Sequence, residues 1–149
     1  MSYDDLDEVL AVEARTLGRT WSRSHFLVEI ESPSSLCFVA RTLDARGSKV
    51  VGFAIARVVS DEAELLTIAV EPSVRRRGVG AALLARARDD SRERGAASMH
   101  LEVRAGNTIA QRLYARAGFT EQGRRPRYYT APVEDAVLMT GDLQVAPES

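Results

Sequence analysis

The run Arg75-Arg76-Arg77-Gly78-Val79-Gly80-Ala81 sets three guanidinium groups and two glycines directly before a stretch with helical periodicity. A helix start leaves four backbone amides without intrahelical partners and carries roughly half a positive charge from the helix dipole, so it is a natural seat for a pyrophosphate. Gly78 and Gly80 put no side chain in a ligand's way, and arginine forms paired hydrogen bonds to phosphate oxygens in a geometry lysine does not match. Taken alone, the same residues equally describe a solvated basic turn capping a surface helix. The spacing argues against two nucleotide-binding loops. GxxxxGK[ST] does not occur, and Leu83 stands where GxGxxG needs its third glycine, so nucleotide hydrolysis and hydride transfer lose their main support.

Two further residues can move protons. Glu102 falls in a run, Ser98 to Arg104, that alternates His100, Glu102 and Arg104 with Leu101 and Val103, the period of a strand with one polar face. A partly buried carboxylate there can work as a general base, while half of a cross-strand ion pair with Arg or Lys is the plainer reading. Tyr114 offers a phenol, but it shares a helical stripe with Ile109, Ala110, Leu113 and Ala117, and by that periodicity a core tyrosine is the plainer reading. Tyr128 and Tyr129, with Arg124, Arg125 and Arg127, form either a mobile substrate wall or a solvated loop. His25 and His100 are too few and too separated for a zinc pair, neither HExxH nor CxxC occurs, and no metal is expected. Cys37, the single cysteine, reads as a small core residue.

The elements that must carry these groups follow from periodicity. Residues 4 to 16 form a first helix, with Leu6, Val9, Leu10 and Glu13 on one period and Asp4, Asp5 and Asp7 at its start. A short second helix carries Phe26, Leu27 and Ile30 after a cap at Ser22 or Ser24, and Pro33 ends it. Strands follow at Leu36 to Leu43, Val50 to Val59 and Ala63 to Val70, the first two joined by a glycine-containing turn. A helix from about Gly78 to Arg94 ends at Gly95, and strand Ser98 to Arg104 follows. Asn107 caps a helix Thr108 to Ala117, closed by Gly118. Two closing strands, Phe119 to Gln122 and Asp135 to Leu143, flank a loop from Gly123 to Glu134. The order ααβββαβαββ implies an α/β sandwich around one mixed sheet.

At 149 residues the chain reads as one domain, with about the last six residues a flexible tail. A net charge of -1 argues against a general nucleic-acid or membrane-surface binder. The acidic start, MSYDDLDEVL, is unlike a secretory or transit segment. A cytoplasmic protein is expected.

The signature Q/R-x-x-G-x-G/A, matched by Arg75, Gly78 and Gly80, resembles that of the GNAT superfamily of acyltransferases. The strings DEAELLTIAVEPSVRRRGVGAALL, LEVRAGNTIAQRLYARAGF, and RRPRYY followed by EDAVLM are similar to the RimI-type branch, which acetylates protein N-termini, notably on a small-subunit ribosomal protein. The resemblance implies a three-layer fold with a mixed, mostly antiparallel sheet and helices on both faces. It implies acetyl-coenzyme A as donor and the N-terminal α-amine of a protein, a ribosomal protein foremost, as acceptor. The backbone of Ile68, Ala69 and Val70 would meet the acetyl and pantetheine part. Arg75, Arg76, Arg77, Gly78, Val79, Gly80 and Ala81 would hold the pyrophosphate, and Asn107 the cofactor's arm. Glu102 would be the general base and Tyr114 the general acid. Glu13, Trp21, Tyr128 and Tyr129 would lie on the acceptor side.

Two departures qualify the resemblance: the family's first edge strand is shortened or absent here, and its Pro-Trp pair is Thr20-Trp21. The chemistry suits the residues. An α-amine has a reference pKa of about 7.7 to 8.0 and needs a proton acceptor at neutral pH before it can attack a thioester. A backbone N–H near Val70 would meet the oxyanion, and transfer would be direct, without an acetyl-enzyme. The close alternative acceptor is a small-molecule amine or a lysine side chain, and the more distant one a noncatalytic acyl-coenzyme A-binding module.

Overall fold

A computed structural model describes residues 1–144; the five residues 145–149, where most of the expected tail falls, lie outside the described residues. The chain opens with a short 3-10 turn, Tyr3–Asp5, leading into α1 (Leu6–Thr16). Then come α2 (Arg23–Glu31), β1 (Ser35–Asp44), β2 (Gly47–Val59), β3 (Glu62–Val70), α3 (Val79–Glu93), β4 (Ser98–Arg104), α4 (Thr108–Arg116), β5 (Thr120–Tyr129) and β6 (Glu134–Asp142). The expected order of elements is the observed one.

Local chemistry accounts for the helix starts. Ser22 accepts from the His25 amide and His25 Nδ1 from the Ser22 amide, a reciprocal cap at α2. Asn107 accepts from the Ala110 amide at 3.1 Å and fixes α4.

The six strands form one sheet in the order β1-β2-β3-β4-β6-β5, antiparallel throughout except for β3 and β4. Helices α1 and α2 bury Leu6, Val9, Val12 and Phe26 against Val50, Phe53 and Ile55 on one face. On the other, α3 and α4 bury Leu84, Ala87 and Tyr114 against Met99, Leu101, Val103 and Val137. The single cysteine sits half-buried in β1. No helix among the described residues is long and apolar enough to cross a membrane.

Three expectations about strands are corrected or sharpened. The loop expected over residues 123–134 is largely strand, because β5 continues to Tyr129. Its pairing with β6 slips twice, between Glu121 and Gly123 and between Arg125 and Tyr129, where residues 126–128 face only Asp135. A polar edge strand bent in this way shows no apolar alternation to read, and Pro126 sits where a ladder donor is not required. Strand β2 begins at Gly47, earlier than its apolar run. Among the described residues no strand precedes α1. Instead the Met1 ammonium donates to the Cys37 carbonyl at 2.9 Å and Arg41 pairs with Asp5, so residues 1–5 lie along the edge of β1.

Candidate active site

The feature that positions the site is a split in the sheet. Strands β3 and β4 pair over Glu62–Glu64 and Ser98–His100 and then part. From Leu65 to Val70 the pairing of β3 is with β2, and from Leu101 to Arg104 that of β4 is with β6. Backbone groups on the inner side of the β3 arm are therefore not committed to a ladder, and Ile68, Ala69 and Val70 lie on that arm. An extra residue in β3, Leu66, sits opposite the step from Ile55 to Ala56. It inverts the alternation: Ala63, Leu65 and Ile68 join the α3 and α4 core, whereas Ala69 packs with α1 and α2.

The β3 arm runs through Pro72–Val74 into the basic turn. Arg76 (φ 70) and Gly78 (φ 80) are left-handed, and Gly78 is the residue before the first turn of α3. The first amide bonded within the helix is that of Ala82, to the Gly78 carbonyl at 3.0 Å. The amides of Val79, Gly80 and Ala81 precede it, and no side chain caps them. Arg75, Arg76 and Arg77 are exposed, and Arg75 Nε donates to the Val70 carbonyl. This is the arrangement an anion needs: open amides, a dipole end and guanidinium groups around it. The two glycines differ. A Cβ on Gly78 would meet open space but would be strained at φ 80, whereas one on Gly80 would make ordinary contact, 3.4 Å from Leu113.

On the other arm, Glu102 projects from the face of β4 opposite the core residues Leu101 and Val103, with His100 and Arg104 on its own side. Its side chain is 28% exposed, and Oε1 lies 3.6 Å from an Arg125 guanidinium nitrogen. The Glu102 carboxylate near Tyr128 also raises the pKa of that phenol. Beside it opens a cleft of about 220 Å³ lined by Glu64, His100, Glu102, Gln122, Arg125 and Thr140. His100 is held there by Thr140 at 2.9 Å. A larger hollow of about 350 Å³ lies beside α4 between Thr108, Gln111, Arg112 and Glu121 and contains none of the expected site residues.

Tyr114 comes from α4 on the opposite face of the sheet. It is buried, its ring 6.0 Å from that of Phe119. Burial pushes its pKa far above the ordinary phenol value, and Tyr129 adds a smaller repulsion. The phenol therefore stays protonated at neutral pH, the state a proton donor needs. Asn107 spends its side-chain oxygen on the α4 cap, and Gln111 donates to the Arg104 and Ala105 carbonyls, locking α4 to the end of β4.

The acceptor-side expectations divide. Tyr128 and Tyr129 stand in β5, not in a loop, as an edge-to-face pair 5.1 Å apart. The Arg104 guanidinium lies 4.4 Å above the Tyr129 ring, and that of Arg125 5.5 Å from the Tyr128 ring. Trp21 packs on Phe26 at 5.1 Å. Glu13 is 1% exposed, and its Oε2 accepts the Trp21 amide at 2.7 Å. Glu13 thus anchors the loop that carries Trp21. Arg104 and Arg125 are the groups whose place the residue pattern did not reveal. Both act across strands, and only the pairing of β5 brings them to Tyr129 and Glu102.

Comparison with known proteins fits this geometry. The profile of the acetyltransferase (GNAT) family matches residues 6–119. The chain is 39% identical over 137 residues to the [ribosomal protein bS18]-alanine N-acetyltransferase of Escherichia coli, covering 91% of this chain and 89% of that one. The crystal structure of the Escherichia coli ribosomal-protein-S18-alanine N-acetyltransferase superposes with a TM-score of 0.85 at 37% identity, over 100% of this chain and 94% of that one. Ard1 from Thermoplasma volcanium gives a TM-score of 0.81 at 30% identity, over 95% and 93%.

Proposed function

This chain belongs to the acetyltransferase (GNAT) family and is an acetyl-coenzyme A-dependent N-acetyltransferase, and we propose that its acceptor is the N-terminal α-amine of a protein, with Glu102 as base and Tyr114 as acid. A ribosomal protein of the bS18 kind is the foremost acceptor, since relatives that align along nearly their whole length carry that activity in their names. On this reading residues 1–149 act as one transferase domain in the cytoplasm.

The observation that carries the reading is the position of Glu102 on one arm of the split sheet, while the other arm runs directly into the open amides of α3. A donor whose pyrophosphate sits on Val79, Gly80 and Ala81 lays its thioester along Ile68 to Val70, with Asn107 beside its arm. An amine entering from the open face meets Glu102. Trp21, Tyr128 and Tyr129 flank that entrance.

Glu102 takes a proton from the acceptor nitrogen, directly or through water, and the freed lone pair attacks the thioester carbonyl. A backbone N–H near Val70 donates to the oxyanion. The carbon–sulfur bond breaks, and the thiolate is protonated by Tyr114. An ammonium nitrogen loses two protons in becoming an amide: one ends on sulfur through Tyr114, and the other reaches solvent through Glu102.

The test is acetylation of a peptide panel by the purified protein, with the modified atom located by mass spectrometry. Peptides with a free amino-terminal alanine should gain one acetyl group on the α-nitrogen, and amino-terminally blocked peptides with a free lysine should gain none. Product on lysine or on small amines alone would replace the protein N-terminus with the alternative acceptor. An absence of any transfer, with acetyl-coenzyme A still bound, would leave only the binding module.

A further inference from the structure

The irregular pairing of β5 delivers two side chains to the carboxylate on β4. Between Arg125 and Tyr129 the strand bulges, with residues 126–128 against Asp135 alone and Arg127 at φ 52. Arg125 and Tyr128 thereby reach the same carboxylate from positions three residues apart, a spacing that a regular strand would send to opposite faces. Arg125 lies 3.6 Å from Glu102 Oε1 and 5.5 Å from the Tyr128 ring, and Tyr128 in turn packs edge-to-face on Tyr129.

We propose that Arg125, braced against the Tyr128 ring, is a positioning residue that fixes the rotamer of the Glu102 carboxylate and leaves its second oxygen to the acceptor nitrogen. The proposal rests on Glu102 being the base. A glutamate has three rotatable bonds, and at 28% exposure nothing in the β4 face alone holds its carboxylate toward the split. The ion pair engages Oε1, and a carboxylate has lone pairs to spare on Oε2. A planar guanidinium held over an aromatic ring is a better brace than a free cation, because the stacking removes the freedom it would otherwise keep. The other charged and titratable groups around the carboxylate are Glu64 on β3, His100 and Arg104 on β4, and Tyr129 on β5. Among the ion pairs of the described residues, Arg125 is the cation paired with Glu102.

Arg125→Ala should lower kcat by roughly 10- to 100-fold, the usual cost of a reacting group out of place by about an ångström, with acetyl-coenzyme A affinity unchanged by calorimetry. Arg125→Lys should recover part of the loss. Methylguanidinium added at millimolar concentration should restore turnover to Arg125→Ala and leave the wild type unaffected, a response that a merely structural role would not give. Tyr128→Leu, which removes the brace, should lower kcat and respond to methylguanidinium weakly. Wild-type or raised kcat in Arg125→Ala would overturn the proposal, as would a loss that neither lysine nor methylguanidinium relieves. Glu102→Gln separates the two layers. If it keeps full turnover, the base assignment and this inference fall together; if it is inactive while Arg125→Ala is unimpaired, this inference alone falls.

Discussion

On the proposed reading, the donor side and the acceptor side of the split sheet are built from different material. The donor side is backbone: three amides left open by a helix start, a left-handed glycine at φ 80, and a strand arm released from its ladder, all within residues 65–82. The acceptor side is side chains that hold one another: Glu102 with Arg125 and Tyr128, Arg104 over Tyr129, Glu13 on the Trp21 amide. Backbone sites recognise what every donor molecule shares. Side-chain sites are where an acceptor can be chosen, because substitution there leaves the fold in place.

The largest effect expected from breaking this division lies at its boundary. Glu102→Gln should lower kcat by about 100- to 10,000-fold, the range for loss of a general base, with acetyl-coenzyme A affinity unchanged. Tyr114→Phe should lower the single-turnover rate less, because the buried ring keeps its packing against Phe119. A Glu102→Gln variant that lost donor binding instead would show that the two sides are not separable.

Arg76 and Arg77 are exposed and form no ion pair among the described residues. Replacing both by Ala should weaken acetyl-coenzyme A binding by about 10- to 100-fold, in line with loss of one or two charge-assisted hydrogen bonds. The melting temperature should barely move. Unchanged affinity in calorimetry would return the basic turn to plain solvation and leave the open amides to carry the phosphate alone.

This difference in material decides how much could be read in advance. The proposed donor side is contiguous, so the arginines, Gly78 and the helix period after them mark a basic turn before a helix start, and the alternation of His100, Glu102 and Arg104 with Leu101 and Val103 fixes the face of β4. The order of helices and strands was legible for the same reason, though not the full length of β5. What was hidden depends on register. No periodicity marks the bulge that turns Arg125 and Tyr128 toward Glu102, and the polar run from Gly123 to Tyr129 looks like a loop until its pairing with β6 is known. Glu13 is a different case: its place on an apolar helical period signals burial, but a carboxylate invites a functional reading. The third helix turn supplied the first fact, and the Trp21 amide explains the second.

That anchor gives a smaller, acceptor-specific test. Glu13→Ala removes the charged acceptor of a part-buried amide and should cost about 1 to 3 kcal/mol of stability, loosen the loop carrying Trp21, and raise KM for the peptide by several-fold. The donor KM should stay put. Glu13→Gln keeps an oxygen in reach of the Trp21 amide and should restore most of the peptide KM. A rise in donor KM equal to that for peptide would show that the loop serves both sides.

The smallest expected effect concerns the joint between the two sides. Arg15 on α1 makes two hydrogen bonds to Glu71, at 2.8 and 2.7 Å, where β3 gives way to the turn before the cradle. The Arg15 bond holds the Glu71 carboxyl below its ordinary value of 4.5, with burial opposing it. A folded-state pKa below the unfolded one means that the pair contributes stability above about pH 4.5, and that this contribution fades as pH falls through the folded value. Arg15 is half exposed, which limits the pair to about 1 kcal/mol or less, or roughly 3 °C in Tm. Arg15→Gln should therefore melt slightly below the wild type at pH 7, and the two curves should converge as pH falls below that value. A gap that persists once Glu71 is protonated in the folded state would mean that the arginine's packing, not its charge, ties α1 to the cradle.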